Sequence, residues 1–283
     1  MVMDVMWKHF PDSFGPGRHD WVDRRFRTWL KKAAVLFPVS ETTAIDIKRF
    51  YPSHTGPIRV VPHGVLSEPP NGASPMPAAD APQHRPIFYY PARAGINKDH
   101  LTLFKACEKL FAKGFDFDVV LTGHLTQHFA DTHPYNDDAA IETCRAFLQA
   151  NQALFQGRIK PRGYCMRSEV DTLYKCCTAV VLPSAFEGFG LPLIEALEHG
   201  AEIICSDIPP YREQLSRHDC ENQVWLVPAG DATALSAEIQ KVLIASRQSL
   251  WRKRSRSTSL QRWTWKDAAV AYVESLAALS PAN

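Results

Sequence analysis

The segment Thr178-Ala179-Val180-Val181-Leu182-Pro183-Ser184-Ala185-Phe186-Glu187-Gly188-Phe189-Gly190-Leu191-Pro192-Leu193-Ile194-Glu195-Ala196-Leu197 constrains the fold more than any other part of the chain. Its first five residues are apolar and β-branched, the pattern of a buried parallel strand. Pro192 suits the first helical position, and Gly200 suits a left-handed cap at the helix end. The segment therefore reads as strand, glycine-rich turn and short helix. Such a turn aims backbone N–H groups and a helix N-terminus at one point, which is an anion site suited to phosphate. Glu187 and Glu195 place two carboxylates beside it, and ionised carboxylates accept hydrogen bonds from sugar hydroxyls. Glu-x7-Glu alone fits an acidic loop before a core helix better than a binding site. Gly188-Phe189-Gly190 and Pro192 turn the balance toward a cradle for a sugar nucleotide.

This stretch resembles the retaining family 4 glycosyltransferases of the GT-B fold, whose donor domains carry Pro-Ser-x-x-Glu-Gly-Phe-Gly-Leu-Pro-x-x-Glu-Ala. The resemblance extends in both directions. Pro91-Ala92-Arg93-Ala94-Gly95-Ile96-Asn97-Lys98 keeps the family's Arg-to-Lys offset, although Asn97-Lys98-Asp99 departs from the commoner sequence. Upstream, Asp4 to Pro11 is similar to the family's His-Asp-Leu segment, with Met3 in place of His. Ser40, Thr43 and Val61-Pro62-His63-Gly64-Val65 match the end of an acceptor domain, with His63 where Asn is usual.

The resemblance implies roles for these residues. Arg93 and Lys98 bind the donor diphosphate and stabilise the leaving charge. Glu187 serves the sugar or reaction centre, and Glu195 holds the ribose hydroxyls. Phe189, Gly190 and Leu191 offer backbone N–H groups, and the turn at Tyr164 lies against the nucleobase. No metal and no cofactor are implied beyond the donor, a GDP-sugar or UDP-sugar. Glu213 reads as a helix-start carboxylate with a smaller claim to function.

At 283 residues, with 45% hydrophobic and 22% charged residues, the chain suits one large or two ordinary soluble domains. A net charge of +2 gives no pull toward nucleic acid. Seven cysteines show no pairing pattern, which suits reduced thiols and a cytoplasmic location. No apolar run reaches the about 18 residues of a membrane span.

From residue 85 to about 261, strand and helix patterns alternate, as in a doubly wound parallel sheet. The expected strands are 87–90, 117–122, 158–161, 179–182, 202–205 and 224–227. The proline-rich run before it divides the chain. The expected organisation is α/β and GT-B: residues 1–66 as the end of an acceptor domain, 67–84 as linker, 85–262 as donor domain, and 263–283 as a crossover helix. By resemblance, roughly 100 residues of an ordinary acceptor half are lacking.

Three other patterns carry less. Asp116-Phe117-Asp118 resembles a metal signature but opens a central strand. His124, His128 and His133 have ligand chemistry without cysteine partners. Gly188-x-Gly190 lacks the third glycine of a dinucleotide fingerprint, because Leu193 stands there. The basic run from Arg247 to Trp263, with Trp251, suits either a solvated face or an anionic membrane surface at the inner face of a membrane.

The expected activity is transfer of a hexose from a nucleotide diphosphate sugar to a hydroxyl of a saccharide or lipid-linked saccharide acceptor, with a lean to mannose from GDP-mannose. The rival readings are a donor-domain remnant that only binds nucleotide sugar, a GT-B epimerase or phosphorylase, and a dehydrogenase.

Overall fold

The computed structural model describes residues 1–64, 85–135, 138–247 and 263–278. In chain order its helices and strands are α1 (Met6–His9), α2 (Gly15–Lys32), α3 (Glu41–Phe50), β1 (Ile87–Pro91), α4 (His100–Ala112), β2 (Asp118–Thr122), α5 (Ala139–Ala150), α6 (Gln152–Phe155), β3 (Ile159–Pro161), α7 (Arg167–Cys176), β4 (Ala179–Leu182), α8 (Leu191–Glu198), β5 (Ile203–Ser206), α9 (Pro209–Arg217), β6 (Trp225–Val227), α10 (Ala232–Arg247) and α11 (Trp265–Ala277).

The six strands form one sheet in the order β3-β2-β1-β4-β5-β6, and every pair is parallel. This is the doubly wound arrangement expected from the alternation. All residues of β2, β4 and β5 are buried, which explains why these strands read as continuous apolar runs. The order reverses between β1 and β4, so the loops that follow them leave the sheet in opposite directions and open a crevice.

Residues 1–64 form a smaller layer. Val2 bridges Pro38 and Leu36 bridges Ile58, both in parallel. These contacts are isolated bridges rather than strands. The Leu36 amide donates to the Pro57 carbonyl, Arg59 to Leu36 and Val61 to Pro38, but Pro38 has no N–H to donate in return, which interrupts the pairing. Helix α2 starts at Gly15, with Pro16 in its first turn, where proline is favoured. The cap expected at Ser40 is present, and its hydroxyl accepts from the Thr43 amide at 3.0 Å.

Helix α11 packs on this layer. Phe37, Val61 and Ala268 are buried together, and the Trp263 indole donates to the Pro62 carbonyl at 3.1 Å. The linker at 67–84 and most of the basic run to Trp263 lie outside the described residues. No described helix is long and apolar enough to cross a membrane. Cys107, Cys144 and Cys205 are buried free thiols.

Candidate active site

The segment from Thr178 folds as strand, turn and helix. Gly190 adopts φ +95° as the N-cap of α8, so the helix begins at Leu191 and Pro192 falls in the second position. A side chain at Gly190 would meet the Tyr211 ring at 2.8 Å, so the site needs glycine for both conformation and space. Gly200 closes the helix at φ +63°, as expected. In the first turn of α8, Pro192 has no N–H and the Leu193 amide donates to the Gly190 carbonyl at 3.0 Å, which leaves the Leu191 amide as the donor without an acceptor within the helix.

Across the crevice lies the loop after β1. Asn97 organises it. Its carbonyl accepts from the Ala185 and Phe186 amides at 2.9 and 3.2 Å, and its side-chain amide donates to the Phe186 carbonyl at 3.2 Å. The unusual Asn97-Lys98-Asp99 sequence thus welds the two loops together. Asp99, at φ 47°, then caps α4 by accepting from the Thr102 amide at 3.2 Å.

Lys98 donates to Glu187 at 2.6 Å, and both side chains are largely buried. The same carboxylate oxygen accepts from Ser184 at 2.8 Å and Tyr211 at 3.2 Å. Tyr90 donates to the Lys98 carbonyl at 2.6 Å and shares a hydrogen bond with Ser184 at 3.1 Å. Burial holds the Tyr90 and Tyr211 phenols well above their ordinary range, so they stay neutral donors. Arg93 is exposed beside this cluster, reaching Asn97 only at 3.5 Å.

Asp4 joins the cluster from the N-terminal layer, a placement that sequence reasoning missed. A side chain on Gly188 would meet the Met3 carbonyl at 2.1 Å and the Asp4 Cβ at 3.0 Å. The glycine-rich turn therefore lies flush against Asp4. Burial raises the Asp4 carboxyl above its usual range, and neighbouring Glu187 adds to the rise while Arg93 and Lys98 oppose it. Its similarity to the family's His-Asp segment was the available signal. The layers are also pinned by Ser40, which donates to the Gly188 carbonyl at 2.6 Å. Glu213 accepts from the Glu41 and Thr42 amides at 2.9 and 3.1 Å. It caps α3 across the cleft rather than its own helix.

Glu195 sits apart from Glu187. It accepts from Arg167 at 2.6 Å and from Tyr174 at 2.9 Å, leaving lone pairs for further donors. Nothing in the sequence marked Arg167 as its partner. Phe189 is buried, its ring 5.2 Å from that of His63. Both His63 ring nitrogens are buried without a partner among the described residues, and burial lowers its pKa. Tyr164 follows β3 on the same edge, and the residue is 84% exposed. The adjacent Gly163 holds the turn in place, its carbonyl accepting from the Gly123 amide at 2.7 Å.

Asp116 and Asp118 lie at the opposite, amino end of β2. Asp116 pairs with Arg85 at 3.0 Å, and Asp118 pairs with Lys160 at 2.5 Å. His128 pairs with Asp131 at 2.7 Å. Among the described residues there is no cluster of three metal-ligating side chains.

The profile of the family described as Glycosyl transferases group 1 matches residues 76–257. The serotype-specific mannosyltransferase WbdA of Escherichia coli is 24% identical over 286 residues, covering 94% of this chain and 32% of that protein. The chain thus spans about a third of that relative's length. The sucrose-phosphate synthase from Thermosynechococcus elongatus superposes with a TM-score of 0.71 at 20% identity, over 97% of this chain and 65% of that one. An Anabaena protein solved with UDP and glucose gives 0.62 at 16% identity, over 87% and 63%. At such identities the structural likeness carries the fold, here GT-B.

Proposed function

The chain belongs to the group 1 glycosyl transferases, and from that premise we propose that it moves a hexose, with retention and without a metal, from a nucleotide diphosphate sugar to a hydroxyl acceptor in polysaccharide or glycolipid assembly. One observation carries the reading. Arg93, Lys98, Glu187 and the start of α8 meet where the loops after β1 and β4 part. Ligands of doubly wound sheets bind in that crevice.

In this reading the donor diphosphate lies between Arg93, Lys98 and the start of α8. As the bond from the anomeric carbon to phosphate oxygen breaks, its electron pair goes to the diphosphate. Fixed cations and amides stabilise that charge without reorganising. Glu187 holds Lys98 in place and faces the sugar. The acceptor oxygen bonds to the anomeric carbon on the face the diphosphate leaves, and its proton passes to a phosphate oxygen. Glu195 takes the ribose hydroxyls, and the turn at Tyr164 lies against the base. Mannose from GDP-mannose is the preferred donor, supported by the mannosyltransferase relative, and the acceptor is a saccharide or lipid-linked saccharide. Residues 1–66 serve as the acceptor side, 85–262 as the donor side, and 263–283 as the crossover.

The test is transfer from GDP-mannose, UDP-glucose and UDP-galactose to saccharide acceptors, with and without EDTA, with the product anomer read by NMR. Retained configuration and EDTA-insensitive turnover support the proposal. Inverted product or loss of turnover in EDTA contradicts it. Binding without turnover on any acceptor would favour the narrower nucleotide-sugar-binding role.

A further inference from the structure

A second cavity of about 200 Å³ opens beside the candidate site. Its wall comes from both layers: Met6, Phe14 and Arg18 from the N-terminal layer, Arg93 and Ile96 from the loop after β1, and Asp138 at the start of α5. It has the room of roughly six waters, enough for a phosphate group and part of a sugar ring.

The charges in this wall are unbalanced. Arg18 makes no hydrogen bond or ion pair with any described residue, and Arg93 has only its long contact to Asn97 at 3.5 Å. Among the described residues of the wall Asp138 is the acidic one; its Oδ1 accepts from the Ala140 and Ile141 amides at 2.9 and 3.3 Å, and its single charge offsets one guanidinium and leaves the other uncompensated. Two guanidinium groups facing one small cavity repel each other, and an anion between them relieves the repulsion. A carboxylate offers one planar pair of oxygens and suits a single guanidinium fork. A phosphate offers three oxygens and suits two forks from different elements.

We infer that this cavity is an acceptor subsite for a phosphate-bearing glycosyl acceptor, with Arg18 reading the phosphate. The inference rests on the donor-site reading above, because Arg93 then separates the donor diphosphate from the acceptor phosphate. Met6 and Phe14 give the sugar an apolar wall, and the cavity lies on the Asp4 side of the reaction centre. The shared chemistry is a sugar phosphate, whether a soluble glycosyl phosphate or the headgroup of a lipid-linked sugar.

The test is calorimetric binding of hexose 1-phosphate, methyl hexoside and hexuronate to the whole chain, with the donor site filled by saturating nucleoside diphosphate. The wild type is expected to bind hexose 1-phosphate at least tenfold tighter than either other sugar. Arg18→Ala is expected to remove that preference, Arg18→Lys to restore part of it, and neither to change nucleoside diphosphate affinity. Arg18 is exposed and unpartnered, so both variants should melt with the wild type. Equal affinity for the three sugars, or a preference that survives in Arg18→Ala, overturns the inference. Weaker nucleoside diphosphate binding in Arg18→Ala also overturns it, by moving Arg18 to the donor side. If no nucleoside diphosphate binds the wild type, the donor reading fails, and the sugar series alone still decides this one. An octyl-linked sugar diphosphate separates the sources: added affinity from the chain supports a lipid-linked acceptor, and none supports a soluble phosphate.

Discussion

The Nζ of Lys98 donates to Oε1 of Glu187 at 2.6 Å, and this ion pair joins the loop after β1 to the loop after β4. The two residues lie 89 positions apart in sequence. Their side chains are only 12% and 8% exposed, so each depends on the other for charge compensation.

Removing both partners should therefore cost less than the sum of removing each. Glu187→Ala strands the Lys98 ammonium and is expected to destabilise by about 3 kcal/mol. Lys98→Ala should cost somewhat less, because Ser184 and Tyr211 still donate to Glu187. The double variant should be less destabilised than the sum, with a coupling of about 1–3 kcal/mol by urea denaturation. Strict additivity would show that the pair does not hold the loops together.

Gly188 is a second junction. An added methyl would overlap the Met3 carbonyl at 2.1 Å and cannot be accommodated by side-chain motion. Gly188→Ala is expected to cost about 2 kcal/mol or more and to weaken nucleoside diphosphate binding, since the turn must back away from Asp4. Wild-type stability and binding in this variant would mean that the layers do not pack as described.

Asp4 should show opposed effects on stability and function. Its folded pKa lies above the unfolded value, so its contribution to stability is fully present below the unfolded pKa of about 3.8 and is lost as pH rises through the folded one. At neutral pH the ionised carboxylate is a burden. Asp4→Asn keeps an acceptor for the Met6 amide, which Asp4 binds at 2.9 Å. The variant should melt higher than wild type at pH 7, with the gain vanishing at acid pH, while turnover falls. Charged groups crowded at a cost are a mark of functional sites. A lower melting point at pH 7 would contradict this account.

His100 is buried among Tyr90, Phe104 and Phe129, and neither of its ring nitrogens has a partner among the described residues. Burial, with a smaller push from Lys98, lowers its pKa from 6.5 to about 3. The unfolded chain binds the proton first, so this contribution to stability is present above pH 6.5 and is lost as pH falls toward 3, at up to about 1.4 kcal/mol per unit. His63 contributes in the same direction. His100→Phe, with an adjoining cavity of about 220 Å³ to take the larger ring, should flatten the acid limb of a melting-point profile. An unchanged limb would place the acid sensitivity elsewhere.

The sheet was legible because each strand is a short apolar run closed by a turn signal, and the six strands expected after residue 85 appear within about a residue of their bounds. The α8 turn was legible because Gly190 and Pro192 have little other use together. The pairings were not. Lys98 and Arg93 looked alike as loop cations, yet one is locked to Glu187 and the other is open. Asn97, Arg167 and Tyr211 act through partners far off in sequence, and only the folded chain brings them there. Glu213 looked like the start of its own helix and caps another. The turn at Tyr164 was expected against the base through its backbone, and the Tyr164 residue is exposed.

The most direct test of the central claim is thermal unfolding of the chain with GDP, UDP, ADP and NAD, repeated on Arg93→Ala and Glu195→Ala. A ligand at 100 times its dissociation constant stabilises by about 2.7 kcal/mol, roughly 5–10 °C for a domain of this size. The account predicts a shift with GDP, or with UDP if the donor base differs, and its loss in both variants. No shift with any nucleoside diphosphate, or a shift with NAD that neither variant removes, would contradict it.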